Sequence, residues 1–259
     1  MRLIGVAAAA TMFGLMCGTV DASLYHYLDW QAANPSAGTA SGVITLPDAS
    51  TVDVGFAATF ARGNPGSFFF AQTAGGTNYW NPSTPYLSAQ VENAPPASEI
   101  LALVGGENQI YTVTLSEPIK DPIMAIVSLG SSFIATSYDF DSPFAIVSQG
   151  TGFWGDNATA LSQLSGDVLL GTEGHGTIQF LGTFSTFSWA VPTPENWHGF
   201  TFGIRTTEAL EPTVVPEPTA VPEPTSLALL GMGAIGLVAN SIRRRRWTKQ
   251  AALESEWPA

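Results

Sequence analysis

Cysteine is nearly missing. The one cysteine, Cys17, lies among the first twenty of 259 residues, so a body that begins after it has no disulfides and no thiol chemistry. Its core must suffice alone. Positive charge is almost as scarce. Between Ser23 and Glu211 only Arg62, Lys120 and Arg205 are basic, against sixteen acidic residues, a balance of −13. Nucleic-acid binding needs clustered lysine and arginine, so nucleic acid is set aside as a partner. Anionic lipid surfaces should also repel this body. Cations and neutral polymers such as polysaccharides stay open, and the same acidity keeps an exported domain soluble.

Two catalytic signatures are absent as well. No Gly-x-Ser-x-Gly occurs, so a Ser-His-Asp hydrolase would lack its nucleophile elbow. Gly231-Met232-Gly233-Ala234-Ile235-Gly236 has dinucleotide-site spacing but follows no strand and lies inside an apolar run. Nor is there a Leu-Pro-x-Thr-Gly sortase motif.

What is present is glycine, proline and short apolar alternation. Val52, Val54, Phe56, Ala58 and Phe60 alternate with Asp53, Gly55, Ala57 and Thr59, the period of a half-buried strand. Similar short runs are expected at 24–30, 43–46, 110–115, 122–129, 133–139, 144–148, 168–171, 177–181, 186–190 and 200–205, and Phe68-Phe69-Phe70 reads as a short buried run. Residues 99–104 suit either a strand or one helical turn, and 34–42 a small-residue loop. No amphipathic helix appears before residue 226. About ten to twelve strands with regular turn signals predict an all-β body, a two-sheet β-sandwich or jelly roll, over residues 23–210. Residues 72–96 and 150–165 read as loops, and the aromatic rings of Tyr79, Trp80 and Tyr86 in the first either stack on sugar faces or pin the loop to the sheet.

The ends carry the addressing information. Residues 1–22 have a positive start at Arg2, an apolar stretch and small residues at Val20-Asp21-Ala22, the pattern of a signal peptide. Residues 211–225 are proline-rich, an extended spacer that holds the body off a membrane or wall. Residues 227–242 are uncharged, and as a helix would span roughly 24 Å, short against a hydrocarbon core of about 30 Å. Snorkelling arginines close the gap. Arg243, Arg244, Arg245 and Arg246 mark the cytoplasmic side. One C-terminal transmembrane helix with its arginine cluster is therefore expected at 226–246, and a cytoplasmic tail at 247–259.

The order of Val221, Pro222, Glu223, Pro224 and Thr225, then an apolar helix, then four arginines, resembles the PEP-CTERM sorting signal of exported bacterial proteins. A second copy of the pentapeptide stands at 215–219. Prolines at 222 and 224 keep the strip extended, a shape a processing enzyme can grip. The resemblance implies an exosortase-like membrane enzyme as partner. It also implies an inner-membrane intermediate held by the C-terminal helix, and delivery to the cell surface or extracellular matrix. Segments 139–144, 150–155, 173–180 and 195–201 are similar to parts of uncharacterised PEP-CTERM proteins, a likeness that implies a β-sandwich and no known activity.

Those segments hold most of the unusual polar residues. Asp139 and Asp141, with Asp156 or Glu173 brought near, would supply oxygens for calcium, the one cofactor the sequence leaves open. Glu173 with His175, and Glu195 with His198, have the residue types of a zinc or catalytic site, although the neighbouring glycines and tryptophans favour tight turns with side chains bonded to backbone. Glu173 and Glu195 are also the pair a glycosidase would need across a cleft. Asn157-Ala158-Thr159 is a glycosylation sequon. The reading adopted is non-enzymatic: an exported structural or adhesive protein. Its alternative is a carbohydrate-binding module, calcium-assisted or not, using Tyr79, Trp80, Trp154 and Trp197. A polysaccharide-active enzyme ranks behind both.

Overall fold

The computed structural model describes residues 24–106, 108–155 and 158–205. The chain divides after Thr207, and every described residue belongs to the part before that point. The proposed signal peptide, proline-rich spacer, transmembrane helix, arginine cluster and tail lie outside the described residues.

Fifteen strands form among these residues: β1 (Tyr25–Tyr27), β2 (Asp29–Asn34), β3 (Thr39–Thr45), β4 (Thr51–Phe60), β5 (Phe70–Gln72), β6 (Ile100–Gly105), β7 (Gln109–Lys120), β8 (Ile123–Leu129), β9 (Thr136–Phe140), β10 (Phe144–Gln149), β11 (Leu161–Gln163), β12 (Val168–Gly171), β13 (Gly174–Phe180), β14 (Thr183–Ala190) and β15 (Glu195–Arg205). The body is all-β and makes two antiparallel sheets. One runs β10-β13-β8-β15-β6-β5, with β1 also on β15; the other runs β11-β12-β9-β14-β7-β4-β3-β2. This is the expected two-sheet sandwich. No helix among the described residues is long and apolar enough to cross a membrane.

The alternation in β4 becomes burial. Val52, Val54, Phe56 and Ala58 face the core and Asp53 faces water. Rings from opposite sheets interlock between the layers. Phe56 meets Phe200 at 5.8 Å, Trp189 meets Phe200 at 5.1 Å, Phe140 meets Phe180 at 5.0 Å, and Phe187 meets Phe202 at 4.6 Å. Each such ring removes about 150–250 Å² from water, which is how a body without disulfides obtains its core.

Strand β8 does not alternate: all seven residues from Ile123 to Leu129 are buried. Met124 and Ile126 join the inter-sheet core. Ala125 and Val127 point the other way, under Trp80, Tyr86 and Ile100, and Ile123 lies under Val91. The long segment between β5 and β6 is therefore a third layer over the outer face of that sheet.

Several sequence expectations shift. The run at 24–30 divides into β1 and β2, which join different sheets, because the chain crosses layers at fully buried Leu28, whose N–H donates to Phe202 O. Residues 39–42, expected as loop, are the start of β3. The run 68–70 is not wholly buried: Phe68 enters the core while Phe69 is 57% exposed. Phe133 and Ile134 sit in an exposed turn and β9 begins only at Thr136. Residues 195–199 belong to β15.

The outermost strands are short or irregular. Strands β5 and β11 have three residues each. Strands β2 and β10 each carry a register shift, between Trp30 and Ala32 and between Ile146 and Ser148.

Glu99 ties the layers together. Its Oε2 accepts from Trp30 N–H at 2.7 Å, its Oε1 from Ser98 Oγ at 2.7 Å, and its backbone carbonyl from the Trp80 indole at 3.2 Å. Burial pushes its carboxyl above the ordinary value of 4.5. The folded chain then holds that proton more tightly than the unfolded chain does. Its stabilising effect is complete below 4.5 and is lost as pH rises through the raised folded value. Glu99→Gln can keep both side-chain bonds and should flatten this part of the profile. Across a pH series that starts at 4.5, the denaturant midpoint of the parent should fall relative to that of the variant as pH rises.

Candidate functional site

Two sheet irregularities bring the unusual residues together. On β15, Glu195 pairs with Gly105 and His198 with Leu103, so one extra residue bulges out around Asn196 and Trp197. On β8, Leu129 pairs with Gly174 and Ile126 with Gly176, so the extra residue falls at Val127–Ser128. Ser128 takes φ 59° and Glu173, just before β13, φ 64°. Such left-handed conformations are costly for non-glycine residues and collect at functional places. Bulges re-aim side chains at such places too.

Around these bulges opens a cleft of about 400 Å³, lined by Ser128, Ser131, Thr136, Glu173, Glu195 and Trp197, among others. Ser128 Oγ donates to Glu173 Oε1. Buried His175 accepts the Ser128 backbone N–H at Nδ1 over 3.3 Å, which places its proton on Nε2, 3.8 Å from the same Glu173 oxygen. On the other wall, His198 Nδ1 lies 2.9 Å from Glu195 Oε2 at an angle outside hydrogen-bond geometry. His198 is fully buried, its ring 5.2 Å from that of Tyr138. The two Glu-His pairs thus face one cleft, yet each imidazole sits inside the protein wall. Among the described residues no three His, Cys, Asp or Glu side chains are grouped to hold a metal ion.

Beside the cleft lies a patch of rings. Trp197 is 4.6 Å from Trp154 and 5.1 Å from Tyr79, and Tyr79 stacks on Trp154 at 5.7 Å. Phe153 packs against both Tyr79 and Trp154, and Phe70 lies nearly parallel to Trp197 at 6.3 Å. Trp154 is 48% exposed and Phe153 38%. Three of the four aromatic residues singled out in the sequence therefore share one surface.

Trp80 does not join them. It is 1% exposed, its indole N–H donates to Glu99 O, and its ring packs edge-on against Tyr86 at 5.1 Å. It pins the loop and cannot offer a face to a ligand. The alternative of stacking or pinning resolves differently for neighbours: Trp80 and Tyr86 pin, and Tyr79 surfaces.

The aspartates are placed elsewhere. Asp139 is exposed on β9. Asp141 accepts from Ser188 N–H and Oγ at 2.9 and 2.8 Å through Oδ2, and from Ser142 Oγ at 3.1 Å through Oδ1. Asp156 and Asn157 lie outside the described residues. The sequence reading missed Ser128, Thr136, Phe70 and Phe153 as participants. Only Phe153, next to Trp154, carried a local hint.

Gly152 explains the Gly-x-Gly-Phe-Trp-Gly segment. A Cβ there would fall 2.1 Å from His175 Cγ. The loop backbone rests directly on the imidazole, and Phe153 and Trp154 follow immediately.

The two sheets and the layer over one of them define an all-β sandwich protein. Residues 220–246 match the PEP-CTERM protein-sorting motif. The motif marks a chain that is exported by way of the membrane, with an exosortase-like membrane protease as its processing partner. Neither the curated proteins nor the solved structures contain a match to the chain.

Gly152→Ala should cost about 1–3 kcal/mol through overpacking and free the Trp154 ring. Denaturant unfolding would read the first effect. Increased acrylamide quenching, absent when Trp154 is also replaced by phenylalanine, would read the second.

Proposed function

We propose that this exported protein is a non-enzymatic, adhesive module that holds polysaccharide at the cell surface or in the extracellular matrix. The supporting observation is the contiguous, partly exposed surface of Tyr79, Trp154 and Trp197, bordered by Phe70 and Phe153. Flat rings held by neighbours suit the apolar faces of sugar rings and lose little freedom on binding. The acidic body neither repels a neutral polymer nor attracts nucleic acid. The proposal does not call on calcium, because Asp139 and Asp141 are not among the residues of the aromatic surface.

The second reading, a polysaccharide-active enzyme, draws on Glu173 and Glu195 lining one cleft. The two readings separate on one assay. Pull-down of the protein by insoluble polysaccharide should weaken about tenfold or more, roughly 1.4 kcal/mol, in Trp154→Ala and Trp197→Ala, with no sugar released. Release of reducing sugar that vanishes in Glu173→Gln would favour the enzyme. Unchanged retention in both tryptophan variants would remove the adhesive surface.

Sorting is tested apart from binding. Proteolytic processing at the Pro-Glu-Pro strip should leave a mature chain ending near residues 222–225. The double variant Glu217→Ala, Glu223→Ala should retain its tail. Intact mass from the native host decides. A parent that also runs to Ala259 would mean a plain membrane anchor.

A further inference from the structure

We infer that the aromatic surface continues to Phe69 and forms a row that takes one polysaccharide chain lengthwise. The ring of Phe69 lies 5.8 Å from Phe70, and Phe70 lies 6.3 Å from Trp197. Trp197 lies 4.6 Å from Trp154, and Trp154 4.8 Å from Phe153. Both ends of the row are open, Phe69 at 57% and Phe153 at 38% exposure. Apolar side chains scattered singly over a surface need no explanation, whereas a contiguous run of them marks a place where something binds.

Separate supports fix the spacing. Phe70 stands on β5 and Trp197 on β15, two strands that flank β6 in one sheet. The bulge on β15 falls at Trp197, which packs with Phe70 and Tyr79 against the outer-face cluster of Trp80 and Ile100. Trp154 follows Gly152, whose backbone rests on the His175 ring. Rings held on strands and on a wedged loop keep their places without a ligand, so little order has to be created on binding.

The angles between the rings choose the form of the polymer. Phe70 and Trp197 are 29° apart and make a nearly parallel centre. Phe69 is turned 70° from Phe70 at one end, and Trp154 is turned 70° from Trp197 at the other. A crystalline sugar face is flat, so it can lie on the centre or on an end but not on both. A single chain turns from one sugar to the next and presents successive apolar ring faces in different directions. Because both ends of the row are open, the chain can run past them, and an internal stretch serves as well as a terminus. A second copy of this protein suits the row less well, since it would bring together two bodies that each hold three basic residues against sixteen acidic ones.

The inference rests on the polysaccharide reading for its ligand and goes beyond it in adding Phe69 and in fixing the form of the polymer. The full-length protein, one copy per phosphatidylcholine nanodisc, is titrated with β-1,4-glucose oligomers of two to six units. Its retention on swollen and on microcrystalline cellulose is compared. Binding should strengthen with each added unit until the row is filled, because a unit next to a held one binds at high local concentration. Trp197→Ala, at the centre, should weaken every oligomer about tenfold. Phe69→Ala should weaken the longest by a similar factor and leave the shortest unchanged. Its unfolding temperature should not move, because the ring is exposed. The longest oligomer should strip the protein from swollen cellulose, and microcrystalline cellulose should hold it less.

Affinity that does not depend on length overturns the row while the polysaccharide reading stands. So does a Phe69→Ala loss shared equally by all oligomers, or no loss at all. Retention on microcrystalline cellulose that the longest oligomer cannot reverse has the same meaning. No binding of any probe overturns both. Sedimentation of the sugar-free protein tests the remaining occupant: concentration-dependent pairing that Phe69→Ala abolishes would give the row to a second copy and overturn the inference.

Discussion

Strand β8 cannot face water on either side. Its seven buried residues leave one sheet with two apolar faces, and much of what is distinctive in the body follows from covering the second one. An antiparallel sheet ordinarily packs one face and wets the other. Here the segment between β5 and β6 is drawn over the outer face and held by Trp80, Tyr86 and Val91. A stretch of turn-forming residues becomes ordered because a hydrophobic surface demands a lid. Where the lid ends, Tyr79 comes out beside Trp197, and the aromatic surface begins.

The same economy governs the Gly-His-Gly and Gly-x-Gly-Phe-Trp-Gly segments. His175 receives a backbone hydrogen from Ser128 and carries the weight of Gly152 on its ring. It joins a bulge in β8 to the loop bearing Trp154, so cleft and aromatic surface share one support. This favours a positioning role for the imidazole, with its chemistry spent on shape.

Much of the fold was legible in local pattern. The alternation of Val52, Val54, Phe56 and Ala58 survives intact as the buried face of β4. The fold class followed from many such runs at short spacing. Partition between sheets was not legible. The run from Leu24 to Trp30 gives no sign that it changes layers at Leu28. Phe133 and Ile134 look like the start of a strand, yet an exposed turn holds them outside it, Phe133 at 96% exposure. The candidate site was half legible for a similar reason. Composition picked out tryptophans and Glu-His pairs, but of the neighbours Tyr79 and Trp80 only the second is buried, a tertiary choice. Thr136 was silent because a threonine in a strand is ordinary until a cleft is found beside it.

The margins of the two sheets have a consequence for how copies of this body meet one another. Each outermost strand is either three residues long or interrupted by an extra residue. Such margins are poor templates for strand addition by a neighbouring copy. Molecules crowded outside a cell should therefore behave as separate beads, with no tendency to zip into fibres.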